Sequence, residues 1–429
     1  MGGAFPTPAF LYYSTSSKFF PVSETATPFA RPVYVMAKPV GAACNLACRY
    51  CYYTEKSHLY PRVAGKPMDE ATLEAYIRQY IEMQTGPNVL FTWHGGEPML
   101  QPLAFYRKAL RLQRKYAGGR QIDNAFQTNG TLVTDEWARF FREHHFLVGV
   151  SIDGPAFLHD AYRQTRGHQP SHLRVMRGIE TLNRYGVEWN AMAVVNNLTA
   201  RHPLEFYRFF KEIDCHYLQF TPVVERLAWH PDGRHLAAPQ AGGSAEVADF
   251  SVSPDDWGAF LCAVFDEWVG TDVGSWFVQI FDSTLAGWMG VPPGLCTLGE
   301  TCGHAAVVEA SGDVYACDHY VFPEYRLGNI HRQTLSQMLY GEPQQRFGRY
   351  KLEGLTDECR RCEFLMACHG ECPRLRFAHS ADGEPGHNWL CRGYRAYFEH
   401  VAPYMDRMKW LLQHGRPASD VMKGLQDVR

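Results

Sequence analysis

Residues 38–53 read KPVGAACNLACRYCYY and follow a short apolar run at 33–37 that predicts a strand. Within them, Cys44, Cys48 and Cys51 form a C-x3-C-x2-C motif. Three thiolates on a four-iron cluster leave one iron without a protein ligand, and that iron can bind a small molecule. A structural zinc site would instead take four protein ligands, and His58 is a candidate fourth. The motif favours an iron–sulfur cluster over zinc.

The chain on both sides of this motif alternates strand-like runs with amphipathic helical segments, beginning at about residue 31. We predict strands at 33–38, 88–93, 124–127, 147–152, 187–195 and 217–222. Helices are predicted between them at 69–84, 103–116, 135–145, 173–185 and 203–213. Repeated strand–helix–strand units predict an α/β fold whose parallel sheet curls into a full or partial barrel.

The rest of the chain divides by composition into further regions. The Ala- and Gly-rich stretch at 230–249 predicts a surface loop, and a new helix is expected to begin at Ser253. We predict four parts: a poorly ordered extension at 1–30, a barrel at 31–285, a Cys-rich domain at 286–393 and a helical segment at 394–429.

Polar residues end several predicted strands: HGGEP at 94–98, QTNG at 127–130 and SIDG at 151–154. The carboxyl ends of parallel barrel strands meet at one edge, where barrel enzymes keep their active sites. A Gly-Gly pair alone is more often a plain turn. Together, the strand ends indicate one shared site beside the three cysteines.

The bulk composition excludes several functional classes. The chain has 429 residues, a formal net charge of -3 and interspersed acidic and basic residues. This balance gives no reason to expect nucleic acid as a partner. No apolar run is long enough to span a membrane, and the N-terminal residues do not resemble a signal peptide, so we expect a cytoplasmic protein without a membrane partner.

Thirteen cysteines are present, and eight of them cluster after residue 290. In a reducing compartment such clusters bind metal more often than they form disulfides. The pattern C-x2-C-x5-C-x3-C at 359–372 is typical of a metal site, which zinc could also occupy. The isolated Cys215 and Cys262 are expected to be buried thiols that act as small hydrophobic groups.

The segment CNLACRYCYY, together with GGEP, resembles the radical S-adenosylmethionine superfamily. The resemblance implies that the open iron binds S-adenosylmethionine and that reduction releases a 5'-deoxyadenosyl radical. The later cysteines resemble the SPASM extension, so the implied fold is a partial (β/α)6 TIM-like barrel followed by a Cys-rich SPASM domain. Its two auxiliary four-iron clusters bring the implied total to three [4Fe-4S] clusters. The resemblance implies Cys296, Cys302, Cys317 and Cys372 for the nearer cluster, and Cys359, Cys362, Cys368 and Cys391 for the farther one.

A closer resemblance covers about residues 35–410 and concerns the anaerobic sulfatase-maturating enzymes. It is carried by KPVGAACNLACRYCYY, QTNGTLVTDEW, SIDGPAFLHDAYR, GVEWNAMAVVN, YLQFTPVVER and GDVYACDHYVFPEYRLGNI. It implies oxidation of a Cys or Ser in a C/S-x-P-x-R-type motif of a nascent sulfatase to formylglycine. The closest variant is the type that accepts either residue, and the electron donor would be a flavodoxin or ferredoxin.

The same resemblance implies roles for individual residues. Asp318, next to Cys317, would be the base that accepts a proton, although an Asp in a turn is usually structural. Tyr53 and His94 would face the substrate, and at position 94 many family members have Gln instead. The implied contacts to S-adenosylmethionine are Tyr50, Gly96, Ser151, Arg163 and Val224. Without the motifs, core packing would explain the aromatic residues.

Two other functions share some of these features. A SPASM peptide maturase that crosslinks or epimerises a ribosomal peptide would carry both cysteine groups. A non-catalytic binding protein stapled by zinc would need only the metal sites. Asp318 and the KPVG start favour the sulfatase-maturating function, and iron content separates it from the zinc protein.

Overall fold

The structure, a computed structural model, describes residues 33–53, 56–60, 65–230, 233–239 and 245–426. The predicted extension at 1–30 lies outside the described residues, as does the side chain of His58. None of the helices in the described ranges is both long and apolar enough to cross a membrane.

Six parallel strands form the centre of the molecule, as the alternation predicted. They are β1 Tyr34–Lys38, β2 Asn88–Trp93, β3 Gln121–Thr128, β4 Leu147–Ser151, β5 Trp189–Val195 and β6 Tyr217–Pro222. Each is hydrogen-bonded to the next in chain order, and all neighbouring pairs are parallel. The α/β prediction is confirmed. All six carboxyl ends consequently lie at one edge.

Helices connect these strands and cover the sheet. They are α1 Lys56–Leu59, α2 Glu70–Met83, α3 Leu103–Tyr116, α4 Asp135–Glu143, α5 Ala156–Tyr162, α6 His172–Arg184 and α7 Pro203–Glu212. In α2 the side chain of Asp69 caps the first turn by accepting a hydrogen bond from the Thr72 N–H at 2.8 Å. Leu73, Tyr76 and Ile77 form its buried face.

The stretch at 230–249 is not simply a loop, contrary to the prediction. A small antiparallel sheet contains β7 Arg226–His230, β8 Gly233–Leu236 and β9 Glu246–Val247. Its strands have five, four and two residues, which is too short for an alternating hydrophobic pattern to be recognised in the sequence. Main-chain hydrogen bonds between the strands hold the sheet together. Beyond it, Ser253 caps helix α8 Pro254–Thr271, as predicted.

The C-terminal part of the chain extends the central sheet. Its strands are β10 Phe277–Val278, β11 Ala305–Glu309, β12 Asp313–Tyr315 and β13 Arg326–Asn329, with a separate pair β14 Ala378–His379 and β15 Pro385–His387. Strand β11 pairs in parallel with β1, which places Glu309 opposite Lys38. One ten-stranded sheet therefore spans both the predicted barrel and the predicted Cys-rich domain.

The remaining helices pack around this extended sheet. They are α9 Gln279–Trp288, α10 Leu335–Leu339, α11 Glu342–Glu353, α12 Asp357–Arg361, α13 Leu365–Cys368, α14 Cys391–Gln413 and α15 Val421–Gln426. The predicted boundaries at 285/286 and 393/394 fall inside α9 and α14, and they stay predictions. Helix α14 begins at Cys391, one of the candidate cluster ligands.

Candidate active site

The loop after β1 brings Cys44, Cys48 and Cys51 close to one another. Burial raises the pKa of Cys44 to about 11 and that of Cys48 to about 12, and in both cases the neighbouring thiols add to the effect. Thiols of this kind lose their protons when they bind a metal, because the bound cation stabilises the thiolate. The chemistry of this trio therefore suits a cluster with one open iron.

The glycine pair after β2 lies directly against this cysteine loop. The Gly96 N–H donates to the Gly41 carbonyl at 2.8 Å, and the Glu97 N–H donates to the Ala43 carbonyl at 2.8 Å. A Cβ atom on Gly96 would lie 2.0 Å from the Ala43 oxygen. Only glycine therefore lets β2 approach the loop this closely.

We expect Gly96→Ala to weaken S-adenosylmethionine binding and to cost about 1–3 kcal/mol of folding free energy, because the methyl group overpacks the loop. Gly270→Ala is the matched control, since a Cβ atom there meets no neighbour within 4 Å. Thermal unfolding and ligand binding check both variants. Equal behaviour of the two would contradict the role of Gly96.

Glu97 joins the ends of β2 and β3. Its fully buried carboxylate accepts hydrogen bonds from the Thr128 hydroxyl at 2.9 Å and from the N–H groups of Asn129 and Met99 at 2.8 Å and 3.0 Å. Asn129 in turn donates to Asn45 in the cysteine loop at 2.8 Å. The polar strand ends thus form one connected network, as the sequence indicated.

Asp153, just beyond β4, connects two of the residues predicted to contact S-adenosylmethionine. Its carboxylate accepts hydrogen bonds from the Arg163 Nε at 2.8 Å and from the Tyr50 hydroxyl. The Arg163 guanidinium also lies near the Cys48 thiol, whose pKa it lowers against the stronger effect of burial. Asp153 was not among the predicted site residues, although it stands in the quoted SIDG segment.

The other predicted cofactor contacts lie at neighbouring strand ends. The Ser151 hydroxyl accepts a hydrogen bond from Gln127 Nε2 at 3.0 Å. The buried Val224 follows β6, and its carbonyl accepts a hydrogen bond from Arg374 at 2.8 Å. The structure thus brings Tyr50, Ser151 and Arg163 to the same edge as the cysteine loop, and Val224 follows the end of β6 at that edge.

Asp318 lies on a short helical turn that follows Cys317, and two side chains contact its carboxylate. Lys38, at the end of β1 and fully buried, forms an ion pair with it, and the Tyr52 hydroxyl donates to it at 2.5 Å. Burial alone would raise the pKa of this carboxyl, but Lys38, and after it His94 and His319, hold the pKa below its ordinary value. The carboxylate is therefore ionised near neutral pH.

The two predicted substrate-side residues lie next to this ion pair. The Tyr53 hydroxyl donates to Glu309, and its ring centroid lies 3.8 Å from Lys38 Nζ. Burial, and after it Lys38, lowers the pKa of His94 to about 4. His94 is consequently neutral near neutral pH, and its Nδ1 accepts a hydrogen bond from the Gly95 N–H at 2.7 Å.

The eight later cysteines fall into two groups of four. Burial raises the pKa of Cys317, and the nearby Cys296 and Cys372 thiols raise it further. In the same way, the Cys296 thiol raises the pKa of Cys302, and the Cys302 thiol raises the pKa of Cys372. Cys296, Cys302, Cys317 and Cys372 therefore lie near one another, and their assignment to the nearer cluster stays a prediction.

The second group surrounds a cavity of about 260 Å³. Its walls include all four remaining candidate ligands, which are Cys359, Cys362, Cys368 and Cys391. The Cys359 Sγ lies 3.7 Å from the His387 Nδ1, so a polar side chain reaches this group as well. Cys215 and Cys262, by contrast, pack with the hydrophobic core as expected.

The spacing of these thiols bears on the kind of metal they suit. In the described ranges, no three His, Cys, Asp or Glu side chains lie close enough together to ligate a single metal ion. Ligands of an iron–sulfur cluster bind different irons and stand farther apart.

Comparisons with known proteins agree with this arrangement. Residues 39–210 match the radical SAM superfamily, and residues 296–363 match the SPASM iron–sulfur cluster-binding domain. The chain is 60% identical to a serine-type anaerobic sulfatase-maturating enzyme of Bacteroides thetaiotaomicron, over 94% of this chain and 98% of the relative. It is 32% identical to a cysteine-type enzyme of Clostridium perfringens, over 87% and 97%.

A solved structure gives the same result. Native anSMEcpe with bound AdoMet and the Cp18Cys peptide superposes with a TM-score of 0.77 at 31% identity. The match covers 88% of this chain and 99% of that one. The similarity thus extends over both cysteine-bearing regions.

Proposed function

Because this chain belongs to the anaerobic sulfatase-maturating enzymes, which are radical S-adenosylmethionine enzymes with a SPASM domain, we propose that it converts a sulfatase Cys or Ser to Cα-formylglycine. One observation carries the proposal. The ionised Asp318 follows the candidate cluster ligand Cys317 and contacts Lys38 at the end of the strand that leads into the three-cysteine loop.

Three cysteines and five further positions would hold the cluster and the cofactor. Cys44, Cys48 and Cys51 would bind the cluster, and Tyr50, Gly96, Ser151, Arg163 and Val224 would surround S-adenosylmethionine. When bound and reduced, S-adenosylmethionine supplies the 5'-deoxyadenosyl radical that removes a hydrogen atom from the target Cβ. Asp153 fixes the orientation of Arg163 and Tyr50 through its shared carboxylate.

Asp318 would complete the oxidation. After hydrogen abstraction, a target serine must lose one proton and one electron to become an aldehyde. Asp318 would accept the proton, and the electron would leave toward the four cysteines that include Cys317. A target cysteine would give a thioaldehyde by the same steps, and water would then replace its sulfur. Lys38 and Tyr52 hold the carboxylate in one orientation for this transfer.

We further propose three [4Fe-4S] clusters, two of them held by the later cysteine groups, with flavodoxin or ferredoxin as the electron donor. The described thiols fit this number, since they form one group of three and two groups of four. We place the enzyme in the cytoplasm, where reduced carriers and S-adenosylmethionine are available.

The direct test is an anaerobic assay with two peptides that differ only in Ser or Cys within an S/C-x-P-x-R segment. We expect the serine peptide to lose two hydrogens, because the chain is 60% identical to a serine-type relative. The cysteine peptide should lose two hydrogens to give a thioaldehyde, and exchange of its sulfur with water should then give the same aldehyde and hydrogen sulfide. An alanine peptide is the control. Failure with both reactive peptides would contradict the proposal, and a crosslinked or epimerised product would indicate a peptide maturase.

A further inference from the structure

Lys56, at the start of α1, is a buried lysine for which the described residues provide no hydrogen-bond acceptor. Only 4% of the residue is exposed, and Nζ lies 3.2 Å from the centroid of the Phe322 ring. Among the described residues, no oxygen accepts a hydrogen bond from this ammonium. A cation–π contact with Phe322 replaces only part of the hydration that the ammonium loses.

Two cavities meet at Lys56. One is lined by Tyr52, Glu225, His319 and Arg374, and the other by Tyr53 and Glu309. Tyr52 donates to Asp318, so the first cavity reaches the proposed base. Lys56 therefore borders both cavities, one of which is lined by the tyrosine that contacts Asp318.

In the absence of a ligand, the surroundings of Lys56 disfavour the charged form of its side chain. Burial lowers the pKa of Lys56 to about 7, and Arg374 lowers it further against the opposing effects of Glu225, Asp318 and Glu309. Glu225 is already engaged, because Arg374 forms an ion pair with it at 2.6 Å. A buried charge in this state is stabilised when an acceptor arrives.

We propose that Lys56 binds a main-chain carbonyl oxygen of the sulfatase segment next to the target residue. This inference rests on the proposed function. An extended peptide brings unpaired carbonyl groups whatever its side chains are, so one lysine can serve different sulfatases. The Phe322 ring lies against the ammonium, and Lys56 lines both cavities, so a peptide in either cavity could supply the missing acceptor.

The test compares Lys56→Met with the wild type and with Lys66→Met, a matched loss of an exposed lysine. We expect Lys56→Met to raise the KM for the serine peptide about tenfold or more, with a smaller effect on kcat, because a hydrogen bond to a charged group is lost. Lys56→Arg should recover most of the affinity. Without peptide, Lys56→Met should unfold at the same or a higher temperature, since it removes an unpaired buried charge.

Each alternative outcome overturns the inference. Equal KM values for Lys56→Met and Lys66→Met would exclude a peptide contact. A lower unfolding temperature without recovery by arginine would assign Lys56 a structural role. A peptide whose acidic residues are changed to amides should keep the same dependence on Lys56; if the dependence disappears, the lysine binds a carboxylate instead.

Peptide affinity is also measured separately, by fluorescence anisotropy of a labelled peptide. If the wild type binds the peptide but forms no aldehyde, the proposed function fails while the Lys56 effect on affinity is still measured. If the wild type forms the aldehyde and Lys56→Met binds equally well, only the inference about Lys56 fails.

Discussion

Asp318→Asn should abolish most formylglycine formation while S-adenosylmethionine is still cleaved. A positioned general base contributes about 10²–10⁴-fold to rate, and an amide in the same place cannot accept the proton. Because Asp318 follows Cys317 without being a thiol ligand, the clusters should remain. The assay measures aldehyde by mass and 5'-deoxyadenosine by chromatography in the same anaerobic reaction, so the two products can be compared directly.

Asp318→Asn also breaks the ion pair with Lys38, so a loss of stability must be separated from a loss of catalysis. Removing one partner of a buried pair costs about 3–5 kcal/mol, because the other charge is left without compensation. The double variant Lys38→Met with Asp318→Asn removes both charges and should recover stability but not product formation. Asp382→Asn, at an exposed ion pair with Arg361, is the control. Normal aldehyde formation by the stable double variant would refute the role of Asp318.

Cys48→Ala should abolish S-adenosylmethionine cleavage altogether, with or without peptide. The variant keeps two of the three thiols in the loop after β1, which are too few to retain a cluster with a single open iron. Iron content should fall from about twelve to about eight atoms per chain if the three proposed four-iron clusters are independent. Iron analysis, visible absorption and 5'-deoxyadenosine release check this expectation.

Cys262→Ala is the matched control for that variant. Cys262 is a partly buried thiol on α8 that packs against the core, outside all three cysteine groups. Its replacement should leave iron content and cleavage unchanged. Continued cleavage in Cys48→Ala would place the reactive iron elsewhere, and stoichiometric zinc in the wild type would favour a zinc-stapled protein.

The sequence predicted the regular part of the fold well, because each element had its own local signal. The strands Asn88–Trp93 and Tyr217–Pro222 and the helix Leu103–Tyr116 have the predicted bounds. The small sheet that begins at Arg226 was missed, since main-chain pairing rather than an apolar face stabilises it. The parallel pairing of β1 with β11 was also missed, because nearly the whole barrel separates these strands in the chain.

Residues of the candidate site that belong to a sequence motif could be predicted. Charged residues that are distant in the chain and meet only in the folded protein could not. Cysteine spacing indicated the metal sites, and the resemblance supplied Asp318. Lys38 stands at the end of an apolar strand, and only the fold shows that it faces Asp318. Lys56 was missed for the same reason, because its burial depends on Phe322, which lies far along the chain.

The shared sheet has a mechanical consequence. Strands β1 and β11 pair over five residues, from Tyr34 opposite Ala305 to Lys38 opposite Glu309. The ladder joins the strand that leads into the three-cysteine loop to the strands that precede Cys317, so these two regions belong to one continuous sheet. Under the proposed function, we expect the sulfatase segment to enter this site as a single extended strand.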